Sequence, residues 1–344
     1  MFGKDNLQYD PAPPEASAFM GSIRASGYDF ETAVADIIDN SISAGAKTVQ
    51  IMVNAAGKDS WIAISDDGCG MDNNALVRAM TLGSISPSAP RDPQDLGRFG
   101  LGLKTASLSQ CRRLTVFTKA RRAEVLTRCW DLDFIDATGE WALLRQPVSP
   151  ELNKRFHKQL DKAESGTVVL WELLDHIVQD GSYSEIERRL ANRLPQIERH
   201  LSMVFHRFLE VPRGLRILIG DLAIKPWDPF MRSEKATQML GEEVLEYRGF
   251  RIIVKPYVLP HISKLADTDA IGKGPRRWTD QQGFYVYRNR RLLVSGSWLR
   301  SASEKRSTIN LSGFSLIFRI NSTSTGTSTF ERHEPSHPMP CGLI

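Results

Sequence analysis

The run Glu31 to Ala46, ETAVADIIDNSISAGA, constrains this chain more than any other stretch. Val34, Ile37 and Ile38 recur at helical spacing, which predicts a helix with one buried face. Asp36, Asp39 and Asn40 stand at i, i+3 and i+4 and share the opposite side. A carboxylate and an amide one turn apart suit a metal ion and an oriented water. Taken alone, the same stripe also suits a solvated surface helix. Gly45 stands where a helix ends on a left-handed residue.

The segments that follow change the weighing. Thr48–Val53 and Trp61–Ile64 alternate like strands, with Asn54 to Ser60 as the turn between them. The second strand runs into Ser65-Asp66-Asp67-Gly68-Cys69-Gly70-Met71. A carboxylate at a strand end followed by two glycines lets a ligand press against bare backbone; a plain Asp-Gly turn is the alternative. After a helix from Asn74 to Met80, periodicity is lost through residues of about 81–97. A patternless loop of that length inside a domain reads as a lid. It closes on Gly97-Arg98-Phe99-Gly100-Leu101-Gly102-Leu103-Lys104-Thr105. Glycines ahead of a helix start present free N–H groups and a positive dipole end to an anion, for which phosphate is the natural occupant. The spacing is neither a Walker loop, since Leu103 separates Gly102 from Lys104, nor GxGxxG, since Thr105 stands where the last glycine belongs.

Further on, Arg113–Lys119, Val125–Leu132 and the stretch opened by Gly166-Thr167 predict more strands. Ser182 to Leu209 predicts a charged helix with Leu190, Leu194, Ile197, Leu201 and Phe205 on one face, joining two domains. Gly220-Asp221 and Arg288-Asn289-Arg290 form the tips of two hairpins, the second one basic. The expected division is 1–180, 181–320 and an atypical tail at 321–344, which is read as disordered.

With 344 residues, 41% hydrophobic and 24% charged, the chain has the composition of a globular protein of two domains. The net charge of +4 is compatible with nucleic acid without demanding it. Cys69, Cys111, Cys129 and Cys341 have no metal-ligand or disulfide-framework spacing, which suggests free thiols in a reducing compartment. No apolar run approaches a membrane span and no signal core precedes the first domain, so a cytoplasmic location is expected.

The order of these motifs resembles the GHKL ATPases, the superfamily of gyrase B subunits, ninety-kilodalton heat-shock chaperones, histidine kinases and MutL. Asp39-Asn40-Ser41 followed by Ala44-Gly45-Ala46, together with Gly102-Leu103-Lys104, is most similar to the MutL and MORC branch. Tyr287-Arg288-Asn289-Arg290-Arg291 resembles a marker of that branch's transducer domain. The resemblance implies an α+β Bergerat fold, a two-layer α/β sandwich on a mixed, mostly antiparallel sheet, followed by a smaller transducer-like α/β domain. It implies ATP between the helices and the lid, and Mg²⁺ on Asn40. Asp66 would read the adenine amino group, with Thr167 behind it, and Ala44, Gly68, Gly70 and Met71 would line the nucleotide. Gly97, Arg98, Phe99, Gly100, Leu101, Gly102, Lys104 and Thr105 would wrap the phosphates.

Two departures stand out. Asp36 occupies the place where much of the superfamily has a glutamate base, so hydrolysis is expected to be slow, with Asp39 as a possible contributor. The lysine that transducer domains send to the γ-phosphate has no clear counterpart, Lys305 being the nearest. The expected function is an ATP-dependent, dimerising clamp acting on DNA in repair, restriction or phage defence, with nuclease chemistry left to a partner. Arg276, Arg277, Arg288, Arg290 and Arg291 are the candidate DNA contacts, with the pairs Arg112-Arg113 and Arg121-Arg122 beside them. The alternatives are a chaperone-like ATPase with a protein client and an ATP-binding regulatory module without turnover. A histidine kinase fits poorly, because no sensor or phosphoacceptor helix precedes the site.

Overall fold

The computed structural model describes residues 10, 12–25, 27–83, 102–178, 181–247, 250–260, 274, 281–297 and 314–321. Helices α1 (Ala16–Arg24) and α2 (Phe30–Ser43) lead into the strands β1 (Thr48–Asn54) and β2 (Trp61–Asp66). Then come α3 (Asn73–Met80), α4 (Gly102–Leu108), β3 (Arg113–Lys119), β4 (Leu126–Asp131), α5 (Leu132–Thr138), α6 (Pro150–Asp161) and β5 (Gly166–Glu172). The chain continues through α7 (Asp175–Val178), α8 (Tyr183–Val204), α9 (His206–Leu209), β6 (Arg216–Ile219) and β7 (Leu222–Ala223). It ends in β8 (Gln238–Met239), β9 (Glu243–Tyr247), β10 (Phe250–Leu259), β11 (Gly283–Arg288), β12 (Arg291–Ser297) and β13 (Phe314–Asn321).

The first sheet has the order β4-β3-β5-β2-β1-β6-β7. Every pair in it is antiparallel except β1 with β6. This is the mixed, mostly antiparallel sheet of the α+β sandwich expected from the sequence. The sheet draws on both expected halves, because β6 and β7 come from beyond residue 180. Strand alternation sorts its two faces. Ile62, Ile64, Val169 and Trp171 face the main core, which they share with Val34, Ile37 and Ile38 of α2 and with Leu201 and Phe205 at the end of α8. Trp61, Ala63, Val168 and Leu170 face the other way and are covered by Phe156 and Leu160 of α6. That helix has Ser149 as N-cap and Pro150 in its first turn, which is how a helix start is written.

The second sheet has the order β12-β11-β13-β10-β8, with β9 also paired to β10. Strand β13 lies parallel to β10 and antiparallel to β11. It places a strand inside the late stretch that has the weakest sequence pattern, while residues 298–313 and 322–344 lie outside the described residues. Tyr285 and Tyr287 on the inner face of β11 join the main core, and Phe230 packs on Tyr257 and Tyr285 with ring centroids 5.0 Å apart. The β11–β12 hairpin closes on Asn289 and Arg290, both with positive φ, as a two-residue turn requires.

Candidate functional site

The site forms where the last turns of α2, the turn after β2 and the start of β5 meet. Register sets its floor. Asp66 is the last residue of β2 and stands opposite Thr167 on β5, and Thr167 in turn stands opposite Thr118 on β3. The hydroxyls of Thr118 and Thr167 lie 3.1 Å apart, and that of Thr118 also accepts from the Met71 N–H at 2.9 Å. Asp66 is aimed by two donors: Ser41 Oγ to Oδ2 at 2.8 Å and the Gly68 N–H to Oδ1 at 2.9 Å. Burial raises the Asp66 carboxyl above its usual range, and these two bonds hold it back. Ser41 is a residue of α2, so one hydrogen bond ties the helix to the strand end.

The two glycines of the turn do different work. Gly68 is pressed against α2, where a Cβ would stand 2.8 Å from the Ala44 Cβ. The Ala44 carbonyl accepts from the Cys69 N–H at 3.0 Å, so the turn is pinned to the end of the helix. Gly70 has φ +67, and a Cβ there would stand 2.0 Å from the Lys119 carbonyl oxygen. At Gly166 a Cβ would stand 2.3 Å from the Asp66 carbonyl oxygen. Asp67 is structural: its Oδ1 accepts from the N–H groups of Lys47 and Thr48 at 2.7 and 2.8 Å.

On α2 the two carboxylates have separate fates. Asp36 Oδ2 accepts from the Tyr28 hydroxyl at 2.9 Å. Tyr28 also hydrogen bonds to Thr105 of α4, and burial beside Asp36 pushes the phenol up to about 12. The Asp36 carboxyl is raised mainly by burial, and the Tyr28 bond opposes this. Asp39 is gripped by Arg291 of β12, whose Nε lies 2.7 and 3.0 Å from its two oxygens. Asn40 is exposed and donates through Nδ2 to the Asp36 carbonyl at 3.1 Å, which leaves Oδ1 as its acceptor.

The predicted phosphate residues fall in two groups. Gly97, Arg98, Phe99, Gly100 and Leu101 lie outside the described residues, and Gly102 opens α4. Lys104 is buried, and its Nζ donates to the carbonyls of Ala79 and Thr81 at 2.8 and 3.0 Å, capping the end of α3. Burial pulls its amine down to about 8.

The basic residues are also divided. Arg276 and Arg277 lie outside the described residues. Arg112 pairs with Asp133 and Asp136, Arg113 with Asp131 and Glu172, and Arg121 with Glu164, so these are not a free basic surface. Arg291, expected at a DNA surface, faces inward instead, because the buried carboxylate of Asp39 draws its guanidinium. Arg290 at the hairpin tip is exposed and donates to the Arg207 carbonyl, and Arg288 is half-buried.

Tyr28, Ser41 and Thr118 are absent from the sequence-level list. Ser41 sits inside the Asp39-Asn40-Ser41 run and was legible there. Tyr28 reaches the site from just before α2 and Thr118 through a strand register.

This arrangement is that of a nucleotide-binding ATPase domain. Residues 28–167 match the family model of histidine kinase-, DNA gyrase B- and HSP90-like ATPases, and this part of the chain is similar to a GHKL-type ATPase domain. Its relatives place it on the MutL and MORC side. It is 35% identical over 99 residues to the DNA mismatch repair protein MutL of Buchnera aphidicola, covering 28% of this chain and 17% of that one. MutL of Paramagnetospirillum magneticum is 32% identical over 94 residues, covering 27% and 15%. The ATPase morc-1 of Caenorhabditis elegans is 28% identical over 88 residues, covering 26% and 10%. The chain thus matches less than a fifth of the length of these relatives. Among the described residues no helix is long and apolar enough to cross a membrane.

Proposed function

We propose that this chain is an ATP-binding and slowly ATP-hydrolysing switch that closes as a dimer on ATP and acts on DNA. The observation that carries the reading is the strand-end acceptor Asp66, aimed by Ser41 and Gly68 and set beside Thr167 and Thr118 by register. The Asp66 carboxylate takes donors from Ser41, Gly68 and the Thr167 backbone, which leaves acceptor capacity for one more. That suits a base with an exocyclic amino donor, such as adenine.

Asp36 is the base of this reading. Asp39 is occupied by Arg291, while the Tyr28 hydroxyl holds Asp36 in one orientation. An aspartate is a methylene shorter than a glutamate and reaches an attacking water less readily, hence slow turnover. Asn40 Oδ1 is a hard oxygen of the kind Mg²⁺ takes, and one or two protein oxygens plus phosphates are its usual shell. Mg²⁺, when bound, neutralises phosphate charge. Gly97, Gly100 and Gly102 with Thr105 are the proposed phosphate contacts, with Arg98, Phe99 and Leu101 between them. Lys104 would have to leave the end of α3 to join them. Action on DNA, in a repair, restriction or phage-defence setting with a nuclease partner, rests on the MutL and MORC likeness.

The test compares the wild type with Asp36→Asn and Asp66→Asn, by titration with a fluorescent ATP analogue and by phosphate release. Asp36→Asn is expected to keep binding and lose turnover by about a hundredfold. Asp66→Asn is expected to weaken binding by about tenfold or more, since a charged acceptor becomes a neutral amide. Equal turnover in wild type and Asp36→Asn would refute the assigned base.

A further inference from the structure

We infer that Arg291 is a positioning residue for ATP hydrolysis, the contact by which the second sheet holds the catalytic face of α2. This rests on the reading of α2 as the nucleotide helix. Arg291 lies on β12, and the residue it grips lies 252 positions earlier in the chain. The pair is withdrawn from solvent, with side chains 8% and 13% exposed. The guanidinium is fixed on further sides: it lies 4.6 Å above the Phe205 ring at the end of α8, and its Nη1 donates to the Leu292 carbonyl at 2.6 Å. A fork held in this way is pre-organised for one carboxylate geometry.

The place of Asp39 gives the contact its consequence. It stands one turn after Asp36 and directly before Asn40. Three anionic groups, Asp36, Asp39 and a triphosphate, would crowd this face. Arg291 cancels the middle one and leaves Asp36 as the carboxylate available to water. It also fixes the rotation of α2, and so the direction of Asn40. Because the cation comes from the second sheet, any movement of that sheet against α2 withdraws it. Turnover is therefore sensitive to the position of the second sheet.

The charged groups around Asp36 are few. Tyr28 faces it from the approach to α2, Asp39 from α2 itself and Arg291 from β12. Helices α4 and α8 also pack on α2, but α4 turns Lys104 to the end of α3 and α8 turns Arg193 to Glu31.

The experiment measures ATP-analogue affinity and kcat for wild type, Arg291→Gln, Arg291→Lys and Asp39→Asn/Arg291→Gln, with thermal melts as a folding control. Arg291→Gln is expected to lower kcat by about tenfold, with a smaller effect on affinity. Arg291→Lys, which keeps charge but loses the fork, should fall between. The double variant, which also removes the uncompensated Asp39 charge, should recover part of the lost kcat. An unchanged kcat in a folded Arg291→Gln would overturn the inference alone, leaving the ATPase reading standing. A double variant no better than the single would also overturn it. Failure of the wild type to bind or turn over ATP would overturn both.

Discussion

Asp36 shows how one side chain is set by its surroundings. As the proposed general base Asp36 would work ionised, and burial raises its carboxyl above the ordinary aspartate value of about 3.9. Turnover is therefore expected to be full near neutral pH and to fall as pH drops through the raised value. Tyr28 donates to the ionised form, so Tyr28→Phe should move the acid limb to higher pH, as read from a pH–rate profile beside the wild type. An unmoved limb would mean that Tyr28 does not touch the working base. The same shift has a cost in stability. The folded state holds this proton more tightly than the unfolded state, an advantage that is lost as pH rises through the folded value. At neutral pH the site thus keeps a carboxylate that folding alone would not favour.

At the scale of elements, the turn after β2 is governed by close approach more than by chain flexibility. Gly45 and Gly70 have nearly the same positive φ, +75 and +67. A Cβ at Gly45 meets nothing within 4 Å, whereas one at Gly70 collides with the Lys119 carbonyl. Gly45→Ala should cost about 1 kcal/mol for the left-handed backbone alone. Gly70→Ala should cost about 3 kcal/mol or more, by urea midpoint, because β3 must also give way. Equal costs would show that the approach to β3 is not a constraint. The glycine itself was legible in the sequence, and so was its neighbourhood to Asp66. That Lys119 is what forbids a side chain was not, since the β2-β5-β3 order depends on pairings across a hundred residues. Helix α6 was missed although Ser149, Pro150 and the Phe156–Leu160 spacing announce it. Strand β13 carries an apolar run that only its pairing with β10 and β11 resolves as a strand.

For the molecule as a whole, the question is whether the net charge of +4 reaches a nucleic acid. Arg112, Arg113 and Arg121 are committed to carboxylates of the same chain. Of the candidate DNA contacts within the described residues, Arg290 at the β11–β12 tip is exposed, Arg288 is half-buried and Arg291 is buried. Binding to duplex DNA is therefore expected to be modest and salt-dependent. With two phosphate contacts the affinity should fall about tenfold between about 50 and 200 mM salt. A salt series by fluorescence anisotropy checks this, and no binding at low salt would remove DNA as the client.

What the sequence determined by itself was local and periodic: the two-faced helix, the glycine turns, the β1–β2 hairpin, and the types of residue that make an ATP site. Those signals depend on spacing within a few turns or a few strand residues. Tertiary structure alone decided the partners. It set Thr118 beside Thr167, aimed Asp66 through Ser41, buried Lys104 under the end of α3, and gave Asp39 to Arg291. Each of these joins residues whose separation along the chain carries no pattern, because strand register and buried charge pairing are settled by the packed fold. The helix Glu31 to Ala46 marked the site, and a residue 252 positions away on β12 holds it.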